Sequence, residues 1–236
     1  MTVDVSPTDI AGRLAEIQAR IDAACEAAQR PAGSVRLLPV TKTVSEPLIR
    51  AAHAAGCRWF GENKVQEAQA KAEAMADLAA DWCVIGHLQT NKARHVVQFA
   101  AELHSLDSVR LAEELDRRLQ SAGRSLRVLI QVNTSGEASK SGLAPEEVPD
   151  FLQAISACQS LAVAGFMTLA LPSKDEALVR ACFQSLAQVR ERARQDGPAH
   201  WRYDELSMGM SGDFELAIAE GATIVRLGTS IFGARD

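Results

Sequence analysis

Apolar runs bounded by glycine, proline and small polar residues recur along the chain and divide it into alternating strands and helices. Val35-Arg36-Leu37-Leu38-Pro39-Val40 carries five apolar residues in six positions, as a strand buried on both faces does. Similar runs predict strands over 57–60, 82–85, 126–132, 161–168 and 223–227, with weaker ones over 102–105 and 204–207. Ile10, Leu14, Ile17 and Ile21 repeat at helical spacing within 6–29, with Pro7 just inside the start. A helix opens after the Ser45 cap with Pro47 in its first turn and ends at Gly56. Further helices are expected over 64–80, capped by Asn63, over 87–100, 106–121, 145–158, 174–195 and 211–220.

Eight strands alternating with helices predict a parallel sheet. Eight also closes a barrel, whereas an open doubly wound sheet rarely needs so many. The expected fold is therefore α/β, a (β/α)8 TIM barrel forming a single domain over 1–236, with an extra N-terminal helix. Pro39 inside the first strand counts against a regular ladder there. Neither a linker nor an internal repeat interrupts the pattern.

Composition narrows the function classes. A formal charge of −5 argues against a nucleic-acid or anionic-membrane surface. No apolar run is long enough to span a membrane, and the polar start Met1-Thr2-Val3-Asp4 is no signal peptide. Five cysteines without C-x-x-C pairing read as reduced thiols of a cytoplasmic protein. The five histidines lack metal-ligand spacing, so no metal site is expected.

Lys42 lies where the first strand ends and a helix begins, the sheet edge at which parallel sheets bind ligands. Backed by Leu38 and Val40, it is expected to be partly desolvated, which would lower its pKa and free the amine to attack a carbonyl. A lysine simply reaching into water fits the position too. The loops after strands seven and eight, 207–213 and 226–230, combine glycines and hydroxyls ahead of a helix, as phosphate sites do, though ordinary caps share that composition. An amine nucleophile facing a phosphate anchor suggests pyridoxal phosphate or a sugar-phosphate aldolase. Arg226 either points into the pocket, where pyridoxal enzymes place an arginine or a carboxylate against the pyridine nitrogen, or pairs with an acid at the rim. Glu62 reads as a pocket acid or a solvated first-turn carboxylate, and Lys140 as a second amine or a solvated lysine.

Seven segments, in order, resemble the pyridoxal phosphate homeostasis protein family, single-domain relatives of the alanine racemase barrel (fold type III). They are Val40-Thr41-Lys42-Thr43, Phe60-Gly61-Glu62-Asn63, residues 85–92, Val132-Asn133 with Lys140-Ser141-Gly142, Gly165-Phe166-Met167-Thr168, residues 206–211 and residues 225–233. The resemblance runs from about Leu37 to Arg235. It implies that pyridoxal 5'-phosphate is bound covalently on Lys42, with Arg226 facing the pyridine nitrogen. It also implies Ser207, Gly228 and Thr229 around the phosphate, and Asn63 and Met167 lining the ring. One departure is visible: Trp82-Cys83-Val84 stands where many relatives read Trp-His-Phe.

The function so implied is intracellular vitamin B6 homeostasis by a monomeric, non-catalytic carrier that buffers the cofactor or delivers it to apo-enzymes. The alternative is a racemase-like enzyme, which needs acid/base groups on both faces of the substrate's α-carbon. The racemases supply one of them with a tyrosine from a further domain. This chain ends at Asp236, and its one tyrosine, Tyr203, precedes the seventh strand and is expected at the opposite end of the barrel. An aldolase reading lacks partner acids.

Overall fold

The computed structural model describes residues 5–137 and 140–233. The start Met1–Asp4, Ala138 and Ser139 of the long loop, and the Arg235 end of the resemblance lie outside them. The strands are β1 (Arg36–Pro39), β2 (Trp59–Glu62), β3 (Asp81–Val84), β4 (Glu102–Leu106), β5 (Leu126–Gln131), β6 (Leu161–Met167), β7 (Glu205–Ser207) and β8 (Ile224–Leu227). They pair in parallel in the order β1-β8-β7-β6-β5-β4-β3-β2, and a bridge between Val40 and Gly61 brings the ends together, giving the expected barrel.

The helices are α1 (Ile10–Ala27), α2 (Glu46–Ala54), α3 (Val65–Ala74), α4 (Ala93–Phe99), α5 (Val109–Ala122), α6 (Val148–Ala154), α7 (Glu176–Asp196), α8 (Phe214–Ala219) and α9 (Thr229–Phe232). Two differ instructively from expectation. α3 begins after Lys64, not after Asn63, because Asn63 is turned toward the strand ends. α8 starts at Phe214 because Asp213 turns back to accept the Met210 N–H at 2.6 Å, making residues 211–213 a turn. No described helix is long and apolar enough to cross a membrane.

Most apolar side chains fill the layer between strands and helices. A separate cluster of Leu38, Cys83, Leu129, Ala164, Met167 and Ile224 draws on five strands, so it lies inside the barrel. Glu102 and His104 share that interior, both almost fully buried.

The β1–β2 seam is the irregular part of the ring. Arg36 N–H and Val40 N–H donate to Thr223 O at 2.8 Å and Leu227 O at 2.7 Å, so even-numbered amides of β1 face β8. Alternation puts residue 39 toward β2, and there proline has no N–H to donate. Thr41 N–H, donating to Gly61 O at 2.9 Å, makes the next link.

A second irregularity lies between β5 and β6, where Val128 pairs with Val163 but Leu129 pairs with Gly165. A Cβ at Gly165 would lie 1.9 Å from Glu205 O on β7. Gly165→Ala therefore has to force β6 from β7 and should cost about 3 kcal/mol in urea unfolding. A cost below about 1 kcal/mol would show that the sheet relaxes there.

Candidate functional site

A cavity of about 710 Å³ opens at the C-terminal ends of the strands. Lys42, Asn63, Arg226, Gly228 and Thr229 all line it, brought together from the ends of three strands, β1, β2 and β8. Lys42 is exposed, which corrects the expectation of a partly desolvated amine: after Thr41 the chain turns outward, with Thr43 at φ 60°. Asn63 is held by a close backbone contact, since a Cβ on Gly86 would lie 2.3 Å from Asn63 O. Gly228 and Thr229 open α9, so the first N–H groups of that helix have no partners within it.

Arg226 is 4% exposed. It donates to Ser207 Oγ at 2.8 Å and to Thr168 O at 2.8 Å, both neutral acceptors. No carboxylate lies within ion-pair distance of it among the described residues. Burial lowers its pKa to about 10, against the pull of Asp213, so it stays charged near neutral pH. A buried guanidinium without an anion is costly, and it is stabilised by any acceptor placed before it in the cavity.

Ser207 is wholly buried and does not line the cavity. His104 Nε2 lies 2.9 Å from Glu102 Oε2 and His104 Nδ1 lies 3.1 Å from Ser207 Oγ. An ionised carboxylate can only accept, so Nε2 carries the proton and Nδ1 accepts from the Ser207 hydroxyl. That hydroxyl in turn accepts from Arg226. Glu102 is also bound by Arg36 at 2.7 Å and Arg127 at 2.6 Å. Burial works against its charge, but His104 and Arg36 outweigh it and hold its pKa well below the usual carboxylate range. Burial lowers the His104 pKa, keeping the imidazole neutral.

Met167 belongs to the barrel-interior cluster, 1% exposed, and likewise does not line the cavity. Tyr203 precedes β7, stacks on Phe166 at 5.9 Å and donates to Pro198 O, away from the cavity. Lys140 does line it, donating to Ala170 O at 3.1 Å and pairing with Glu137. Glu62 is neither of the things expected of it: it is fully buried, against α3.

Two features escaped the sequence. His87 lines the cavity with its Nδ1 3.2 Å from Asp107, whose pKa burial raises and His87 opposes. Histidine spacing gave no hint of a cluster, yet Cys83, Glu102 and His104 place ligand-type atoms within 4.8 Å of one another. The two guanidinium groups on Glu102 make that cluster an ion-pair core hostile to a further cation. The available signal was Glu102 and His104 two apart on one strand, hence both inward.

Residues 13–236 match the family model described as alanine racemase, N-terminal domain. The chain is 43% identical over 227 residues to the pyridoxal phosphate homeostasis protein of Pseudomonas aeruginosa, covering 96% of each. The structure of PipY from Synechococcus elongatus, solved with PLP bound, superposes with a TM-score of 0.83 at 38% identity, covering 95% of this chain and all of that one. An alanine racemase from Streptomyces coelicolor shares the fold, at 21% identity and TM-score 0.71, over 94% of this chain and 59% of that one.

The buried imidazole has a consequence for stability. In the unfolded chain a histidine protonates near pH 6.5, whereas folded His104 resists it. Below that pH the folded state binds fewer protons, so stability falls with pH by up to about 1.4 kcal/mol per unit. Glu102, with its depressed pKa, holds its full contribution above the unfolded glutamate value of about 4.3 and loses it progressively only below that, outside this window. His104→Gln should flatten the urea-unfolding profile between about pH 5 and 6.5. An unchanged slope would mean that the imidazole is already charged in the fold.

Proposed function

Because the chain belongs to the family of pyridoxal phosphate homeostasis proteins, we propose that it binds pyridoxal 5'-phosphate as a Schiff base on Lys42 and buffers or delivers the cofactor inside the cell. The observation that carries this is one cavity faced by an exposed amine, a buried guanidinium without an anion, and the open N–H groups at the start of α9. These suit, in turn, an aldehyde, a ring-nitrogen acceptor and a phosphate. When bound, the cofactor supplies an aldehyde that condenses with a lysine amine, and a ring able to accept electrons.

Each residue then has its task. Lys42 donates the amine. Gly228 brings backbone N–H groups close to phosphate oxygens, and the Thr229 hydroxyl adds a donor. Asn63, held by Gly86, borders the ring. Met167 supports the ring from the interior. Ser207 acts on the site through Arg226, its own hydroxyl proton being committed to His104. Arg226, charged at neutral pH, keeps the ring nitrogen an acceptor and so leaves the ring a weak electron sink. That favours holding the cofactor over reacting with it, and Tyr203 offers no second acid at the cavity. The free thiols Cys25, Cys57, Cys83, Cys158 and Cys182 suit a reducing cytoplasm. The same reading takes 1–236 as one domain, acting as a monomer and passing the cofactor to apo-enzymes.

A racemase-like enzyme is the second reading, and the His87–Asp107 pair favours it, since it brings an acid/base group to the cavity. The two readings separate on turnover. A carrier should transfer pyridoxal phosphate to an apo-enzyme and show negligible racemase or transaminase activity. Efficient turnover of an amino acid, lost in both Lys42→Ala and His87→Ala, would make the protein an enzyme.

Two outcomes test the site itself. Borohydride reduction and peptide mapping should label Lys42, and Lys42→Ala should lose the Schiff-base absorption while keeping the fold. Label on Lys140 with Lys42 spared would move the site across the cavity. A bulky residue at Gly228 should weaken pyridoxal phosphate by about 1.5–3 kcal/mol and leave dephosphorylated pyridoxal unchanged. Equal losses for both ligands would remove the phosphate from this loop.

A further inference from the structure

Lys42 hangs from a segment held, on the side away from the cavity, by a cluster centred on a second lysine. Lys71 on α3 donates to Thr41 O at 2.6 Å, to Glu62 Oε1 at 2.8 Å and to Glu67 Oε1 at 2.8 Å. All three protons of the ammonium are thus used, and its side chain is 15% exposed. Glu67 Oε1 also accepts the Thr43 N–H at 2.6 Å, and Glu62 Oε1 accepts the Thr41 hydroxyl at 2.6 Å. The residues on either side of Lys42 are therefore tied to one hub, Thr41 directly and Thr43 through Glu67.

The cluster stands where the ladder is weakest. Pro39 leaves the β1–β2 seam one backbone donor short, and Thr43 is held at φ 60°, a conformation β-branched residues avoid. The turn has one backbone bond of its own, Val44 N–H to Thr41 O at 2.9 Å, and side-chain hydrogen bonds from α3 and β2 hold the strained Thr43 within it. None of the three hub residues lines the cavity.

We propose that Lys71, acting through Glu62 and Glu67, is the positioning residue for the Lys42 amine, fixing the Thr41–Thr43 backbone and with it the rate at which Lys42 captures and releases an aldehyde. The inference rests on Lys42 being the Schiff-base lysine. Capture makes a C=N bond in place of C=O, and both amine protons leave with the oxygen as water, so no other reactant is needed. An amine held in place reacts faster than one swinging on a loose turn, and the gain is kinetic. Holding the turn does little for contacts made by ring and phosphate.

Stopped-flow formation of the Schiff-base absorption should be about tenfold slower in Lys71→Met. Binding of pyridoxamine 5'-phosphate, which has an amine where the aldehyde would be, should stay within about twofold, since it does not use Lys42. Lys71→Arg, which keeps the charge, should recover part of the rate. Lys71→Met leaves two carboxylates without their cation. Should it fail to fold, Glu67→Ala, which frees only the Thr43 N–H and one ion pair, should slow formation about threefold with pyridoxamine phosphate binding unchanged. An unchanged rate in the folded variants, or equal losses for both ligands, overturns the positioning role. Borohydride labelling of wild-type protein tells the two failures apart: label off Lys42 defeats the Schiff-base reading, whereas label on Lys42 with an unchanged variant rate defeats only this one.

Discussion

Closing the barrel between β1 and β2 is the constraint on which the site depends. A ring of parallel strands is stable when every backbone donor inside it finds an acceptor. At this joint Pro39 has none to offer. The strands meet instead through Val40, Thr41 and Gly61. Gly61 allows the approach, since a Cβ there would come within 3.3 Å of the Ile85 side chain and 3.4 Å of Leu38. The gap is completed by side chains: the Thr41 hydroxyl on Glu62, and Lys71 on the Thr41 carbonyl. The chain then leaves the sheet at Lys42, so the step that closes the fold also aims the amine.

Across the cavity, a second set of interactions holds a charge in the interior. Arg36 and Arg127 at the N-terminal ends of their strands pin Glu102, Glu102 sets the tautomer of His104, and His104 Nδ1 accepts the Ser207 hydroxyl. Ser207 and the Thr168 carbonyl are then free to accept from Arg226. The hydrogen bonds run from one mouth of the barrel to the other, each fixing the donor direction of the next. Arg226 is thereby aimed without being neutralised, and its charge remains available to whatever enters the cavity.

Much of this architecture was legible in the chain. Continuous apolar runs such as 126–132 marked buried parallel strands, and glycines and caps marked their ends, so the eight-strand order followed. β4 read weakly because Glu102 and His104 interrupt the apolar run, yet those are the residues whose inward direction builds the axial network. The resemblance and the strand-end position together pointed to Lys42, Asn63, Arg226, Gly228 and Thr229, which do line one cavity. What could not be read was direction at the ends of strands. Ser207 and Met167 end β7 and β6 facing the interior, and Lys42 sits in water because a left-handed Thr43 turns the chain. The grip of Lys71 on Thr41, thirty residues away, leaves no local signature at all.

The most direct measurement is a crystal structure of the protein loaded with pyridoxal phosphate. The account predicts continuous density from Lys42 Nζ to the cofactor's aldehyde carbon, the Arg226 guanidinium within hydrogen-bond distance of the ring nitrogen, and the phosphate against Gly228 and Thr229. Density joined to Lys140, or a cofactor lying with Arg226 away from its ring nitrogen, would contradict it.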